Sequence, residues 1–229
     1  MAGRKQEEIR KVLLGWGKEV LERREEVSID LWKGYRNVVR DWMPNAQVVA
    51  DRFHVMAQIN KELDSQRKRE KRQVEDLIKK AESLEKKADQ EKILEGLKKS
   101  KYVLLKNESE LNEEQKAKLM QVKDVSFTLK SMQELKEEIK KIFEQANNCL
   151  VGLLKRERWL SGAKKYFPDS QNTIICWLHE IIAYFDYKTT SGVVEGINNK
   201  LKLIKRYAYG FRNFENFRVR CSLTWQFDC

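Results

Sequence analysis

Ile9, Val12, Leu13, Trp16, Val20 and Leu21 recur at three- and four-residue spacing among Lys, Glu and Arg, which predicts one amphipathic helix over residues 1–26. The period then changes. Val27-Ser28-Ile29 is a short β-favouring run that ends in Asp30. Residues 31–43 return to helical spacing, with Trp32, Tyr35, Val38, Val39 and Trp42 on the apolar face. Pro44-Asn45 stops that helix, and AQVVA (46–50) is a second short apolar run, ending in Asp51. From about Phe53 the helical period resumes and persists.

Two buried strands separated by a single helix pair in parallel, through a right-handed crossover. The pattern therefore predicts a helix-rich α/β fold with short parallel strands at 27–29 and 46–50. Asp30 and Asp51 then both emerge at the carboxyl edge of the strands, where open α/β sheets place their ligands. Each is equally placed to cap the next helix, and the two roles are compatible.

Residues 56–100 read as a long charged helix or a pair of helices, with a sparse stripe of Val74, Leu77, Ile78, Ala81 and Leu84. The basic cluster at 67–72 (RKREKR) could touch phosphates. A solvated face laced with i,i+4 ion pairs suits its mixed neighbourhood better. Two more helices follow between 112 and 154, carried by Leu119, Val122, Phe127, Leu129, Met132, Leu135, Ile139 and Ile142. After an interruption at 161–168, TIICWLHEIIAYFDY (173–187) is the most apolar helix and belongs at the core. His179 inside it reads as a hydrogen-bonded core residue rather than a ligand. A small-residue turn at 189–192 leads into a helix over 193–206 with Glu195 in its first turn, where the helix dipole favours a carboxylate. The chain thus divides into a strand-bearing segment at 1–55, a helical insertion at 56–172 and closing helices at 173–229.

Composition sharpens this picture. With only 2 Pro and 10 Gly among 229 residues, a turn-rich β-sandwich or barrel is excluded. No apolar run approaches the ~18 residues of a membrane-spanning helix, so no membrane role is expected. The acid-bearing N-terminal stretch does not read as a signal peptide. Cys149, Cys176, Cys221 and Cys229 form no C-x-x-C pair, which argues against structural zinc and for reduced core thiols in a cytoplasmic protein. Lys and Arg number 46 against 35 Asp and Glu, a formal charge of +11, which calls for a polyanionic partner such as nucleic acid. The surplus is densest near the C-terminus, where Lys200, Lys202, Lys205, Arg206, Arg212, Arg218 and Arg220 alternate with Tyr207, Tyr209, Phe211, Phe214 and Phe217. Cations suit phosphate contacts and the interleaved rings suit base stacking.

Three stretches, VSIDLWKGYRNVVRDWMPNAQVVADRFHV (27–55), YVLLKNESELNEEQKAKL (102–119) and SGVVEGINNKLKLIKRYAYGFRNFENFRVR (191–220), resemble the DDE transposases of bacterial insertion sequences, in the group named after the ISL-three element. The resemblance implies a ribonuclease-H-like fold with a helical insertion before the last acidic helix. In that pattern the second catalytic acid precedes a Trp-x-x-Tyr helix, matching Asp30 with Trp32 and Tyr35. A downstream motif matches Asp51 and His54 in DRFH, and the third acid matches Glu195. Whether Asp30 or Asp51 is the metal ligand stays open on the match, with the strand-end position favouring Asp30. His54 is expected beside the metal ligands or against DNA rather than on the metal.

Such a site uses two divalent cations, normally Mg2+, held by hard carboxylate oxygens for in-line attack on a phosphodiester. The partners implied are transposon-end and target DNA, with homo-oligomers possible. The family's first acid lies on a strand upstream of the opening helix, and Glu7, Glu8 and Glu19 cannot replace it. The sequence therefore reads as the C-terminal portion of a catalytic domain, inactive alone and with an unpaired edge on strand 27–29. A non-catalytic DNA-binding or transposase-interacting module is the competing reading, and a charged helical scaffold without a DNA role the third.

Overall fold

The structure, a computed structural model, describes residues 6–81, 83–146, 157–189 and 192–226. The chain divides into two compact units, Met1–Thr189 and Thr190–Cys229. The first opens with α1 (Gln6–Leu14) and α2 (Lys18–Glu22) where the hydrophobic spacing predicts one helix. The break falls at Gly17, which takes φ 85°, a conformation open to glycine without a Cβ clash. Trp16 keeps the apolar period across the break and so hides it.

β1 (Glu26–Ile29) and β2 (Gln47–Ala50) pair in parallel with α3 (Lys33–Trp42) between them, Val27 opposite Val48 and Ile29 opposite Ala50. This is the expected βαβ arrangement. Among the described residues the sheet has these two strands. At the start of α3, Gly34 lies under the Trp32 indole. A Cβ there would sit 2.2 Å from a ring atom, so the close approach requires glycine.

The predicted charged helix is α4 (Arg52–Lys80), 29 residues long, followed by α5 (Leu84–Leu97). α4 buries Val55, Ile59, Leu63 and Val74. Part of its outer surface is laced with ion pairs, in keeping with its mixed charges: Arg67 and Lys68 each lie 2.8 Å from Asp64, and Lys71 lies 3.6 Å from Glu75. Burial raises the Asp64 carboxyl, but the hydrogen bonds from Lys68 and Arg67 outweigh it and hold its pKa below the usual carboxylate value.

α6 (Ser100–Leu105), α7 (Glu113–Val125) and α8 (Phe127–Gln145) follow. Asn112 and Gln115 form a reciprocal capping box at the start of α7. Lys136 of α8 is 1% exposed, and its Nζ donates to the carbonyls of Leu104 at 2.9 Å and Lys106 at 2.7 Å, beside Glu137 at 2.9 Å. It satisfies the carbonyls at the end of α6 that no further helical turn can reach. Burial pushes the Lys136 ammonium below its ordinary pKa, opposed by the hydrogen bond to Glu137.

α9 (157–163), α10 (Pro168–Cys176) and α11 (Leu178–Tyr187) close the unit. The helix predicted over 173–187 is interrupted at Trp177, which takes φ −111° and ψ 22°. Arg36 of α3 fills the corner. Its guanidinium lies 3.8 Å over the Trp177 ring, Nε is 2.7 Å from Glu180 Oε1, and Nη2 donates to Glu180 Oε2 and to the Cys176 carbonyl, both at 3.0 Å.

The break turns Glu180 inward and leaves His179 exposed, which corrects the expectation of a core histidine. α11 packs on β2. A single buried cluster runs from Ile9 to Phe185, including Trp159, Phe167, Phe143 and Tyr184. Cys176 is exposed rather than in the core, and Cys221, in the second unit, is buried; Cys149 and Cys229 lie outside the described residues.

The second unit is α12 (Gly192–Tyr207) packed against α13 (Phe214–Gln226). Tyr209 at φ 52° and Gly210 at φ 99° make the turn between them, and Gly210 N donates to the Lys205 carbonyl at 2.9 Å. Among its described residues Ile204 and Cys221 are buried.

Candidate functional site

Because β1 and β2 are parallel with Ile29 opposite Ala50, the next residue of each strand leaves the sheet at the same edge. Those residues are Asp30 and Asp51, and the structure gives them different surroundings. Asp51 is 3% exposed and caps α4, its carboxylate accepting from Phe53 N at 2.9 Å. Its charge acts, with that of Arg52, on the buried Tyr184 hydroxyl, whose pKa is raised chiefly by burial. Asp30 is open to solvent, its side chain 38% exposed. The capping and ligand-edge readings of the two acids thus part company: Asp51 caps, and Asp30 borders a cavity of about 530 Å³.

His54 sits one turn into α4 and places Nε2 2.7 Å from Asp30 Oδ1. The DRFH spacing alone ties His54 to Asp51. The parallel register is what carries it to Asp30, so this pairing was not legible in the motif. Trp32 also lines the cavity, its ring edge-on to Tyr35 at 4.8 Å, and Lys61 and Thr173 reach it from α4 and α10. Neither Lys61 nor Thr173 stands out in the sequence. The turn is tight: Trp32 N donates to the Asp30 carbonyl at 2.7 Å.

A hard divalent cation takes oxygen ligands, Mg2+ at ~2.0–2.1 Å, and Asp30 supplies carboxylate oxygens at an accessible strand end, so the donor chemistry fits. Among the described residues no group of three or more His, Cys, Asp or Glu side chains is gathered tightly enough to hold a metal ion. Glu195 lies in the first turn of α12 in the second unit, exposed, where the partial positive charge of the helix start favours it.

In that second unit Lys202, Lys205, Arg206 and Arg212 are exposed, and Lys200 is partly buried. Arg218 lies 2.8 Å from Glu215. The aromatics divide between two roles: Phe211 and Phe214 pack on Phe217, with ring centres 5.2 and 6.5 Å away, whereas Tyr207 and Tyr209 project into solvent beside the cations.

A profile of the DDE_Tnp_ISL3 family, described as "Transposase", matches residues 1–221. The transposase for insertion sequence element IS1001 of Bordetella parapertussis is 26% identical over 198 residues, covering 85% of this chain and 46% of that protein. The transposase for insertion sequence element IS1557 of Mycobacterium tuberculosis is 28% identical over 200 residues, covering 82% and 44%. The chain spans about half the length of the curated relatives it matches. No solved structure matches.

Proposed function

The chain belongs to the DDE_Tnp_ISL3 family of transposases, and from that premise we propose that it is a portion of the catalytic domain of a DNA-cleaving and strand-transferring enzyme, with a ribonuclease-H-like sheet as its scaffold. The observation that carries the reading is Asp30. It is an accessible carboxylate at the carboxyl end of a parallel strand, held at 2.7 Å by His54 and opening on a cavity.

In this reading Asp30 and Glu195 are the residues that hold the divalent cation, whose chemistry when bound is to activate a water or a 3′-hydroxyl and to stabilise the leaving oxygen. His54 donates from Nε2 to one Asp30 oxygen and fixes the carboxylate, leaving the other oxygen to the cation. Asp51 holds α4, and through it His54, in place. The exposed cations and tyrosines of α12 take the phosphates and bases of DNA. Alone, the chain performs neither cleavage nor strand transfer, because two acids do not complete a three-carboxylate site.

The test is affinity cleavage. Fe2+ put in place of Mg2+ generates hydroxyl radicals in ascorbate and peroxide and cuts the backbone beside the bound ion. Cuts near residue 30 and near residue 195 are expected, both lost together in Asp30→Ala. Cutting near only one of the two, or cutting that survives the substitution, overturns the shared ion and leaves the non-catalytic DNA-binding reading, which the exposed α12 tract supports independently. Strand transfer by the purified chain would overturn the stated inactivity, and its loss in Asp30→Ala would still uphold the role of that acid.

A further inference from the structure

The cavity at Asp30 does not end there. Gln58 and Lys61 line both it and a second cavity of about 290 Å³, which continues along α4 to Ser65 and Arg69 and is walled on the far side by Lys165. His54, Gln58, Lys61, Ser65 and Arg69 are spaced four, three, four and four residues apart, so they form one stripe of α4. At ~1.5 Å per residue that stripe is about 22 Å long. B-DNA carries one phosphate per ~3.4 Å of each strand, so the stripe is matched to about six nucleotides.

The charges on α4 are sorted by face. Arg67, Lys68 and Lys71 are each paired with an acid of their own helix. Lys61 and Arg69, which face the groove, have no carboxylate within ion-pair distance among the described residues. The same holds for Arg72, one turn further along the stripe. Lys165 lies 5.2 Å over the Tyr166 ring.

Three acids also border the groove, Asp30 in the first cavity and Glu62 and Asp169 in the second, and Glu62 is engaged elsewhere. Glu62 accepts from Asp169 N at 3.0 Å, Ser170 N at 2.8 Å and Ser170 Oγ at 2.5 Å, tying its charge to the start of α10. Asp169 itself lies in the first turn of α10. Across the two cavities Lys61, Arg69 and Lys165 are balanced by Asp30, Glu62 and Asp169. What the groove offers a polyanion is therefore not a net charge but two exposed, unpaired cations, Lys61 and Arg69, on one stripe, with Glu62 held back against α10.

We infer that this face of α4 is a DNA-backbone track, with Lys61 and Arg69, about 12 Å apart along the helix, neutralising phosphates about three to four nucleotides apart on a strand led toward Asp30. The inference rests on the DNA-processing reading but is tested apart from it, by metal-free binding.

The 229-residue chain is titrated with a labelled duplex in EDTA across a salt series. It is compared with K61Q/R69Q and with K86Q/K87Q, which removes the same charge from the exposed start of α5. K61Q/R69Q is expected to lower the slope of log K on log salt by about 1.8, at ~0.9 per phosphate contact, and to weaken binding at least tenfold at ~0.1 M salt. K86Q/K87Q is expected to change the slope by less than a third of that. A benzoylphenylalanine in place of Ser65 is expected to crosslink to the duplex.

Equal losses in both double variants would show diffuse attraction to net charge, and unchanged binding in K61Q/R69Q would place the DNA elsewhere; either result overturns the track. If the groove variants bind normally while Asp30→Ala still abolishes the iron-induced cuts, the track fails and the chemistry stands. The converse result separates them the other way.

Discussion

At the scale of single residues, the Asp30–His54 contact shows how a side chain comes to serve another. His54 Nε2 stands 2.7 Å from Asp30 Oδ1, and both remain partly exposed. Among the described residues, this is the contact from α4 that orients the carboxylate. His54→Ala is therefore expected to weaken divalent-cation affinity by ~10–100-fold, the usual consequence of removing a partner that orients a ligand. His54→Gln, which keeps an N–H donor at similar reach, restores most of it. Mn2+ titration followed by electron paramagnetic resonance measures both, and thermal unfolding separates the effect from folding, which a merely structural histidine would move instead.

The sequence marked Asp30, His54 and Trp32 by their motif and set His54 beside the metal ligands or against DNA, but it did not say which aspartate His54 meets. The spacing within DRFH is local, whereas the contact depends on how two strands align across α3.

At the scale of elements, legibility depends on how local the cause is. Both strands and their parallel pairing were readable because Val27-Ser28-Ile29 and Val48-Val49 are β-favouring runs closed by Asp, with Pro44 between. The corner at Trp177 was not. No glycine or proline marks it, and its stabilising group, Arg36, comes from α3.

That corner carries its own prediction. Arg36→Lys keeps a charge but loses the planar fork that serves Glu180, the Cys176 carbonyl and the Trp177 face together. The substitution is expected to destabilise the first unit by ~2–4 kcal/mol, since it leaves a buried carboxylate poorly partnered. Arg36→Met with Glu180→Gln, which removes both charges, loses less than Arg36→Lys alone. Urea midpoints at constant slope distinguish these cases.

For the whole molecule, the buried cluster reaches from Ile9 to Phe185 and, among the described residues, takes none from beyond Thr189. The first unit thus has a core of its own, which is what independent folding requires. A chain ending at Thr189 is expected to unfold cooperatively, with a midpoint within about 4 °C of the full chain, corresponding to ~1–2 kcal/mol for a domain of this size. Calorimetry of the two proteins checks this, and a broad, non-cooperative transition in the shorter one would refute it. The division at 189 was not visible in the sequence, where the apolar run 173–187 invited grouping with the C-terminal helices. The packing of α11 on β2 instead joins that run to the beginning of the chain.

Lys136 bears on a quantity that sequence arithmetic treats as settled. Its ammonium counts toward the formal +11, yet it is sealed 1% exposed against the carbonyls at the end of α6 and Glu137 of its own helix. A charge sealed inside still contributes in full to the field far from the protein, so electrophoretic mobility counts Lys136 as it counts Lys86. A phosphate arriving at the surface does not: it can touch Lys86 and cannot touch Lys136, so fewer cations are open to direct contact than the composition tallies.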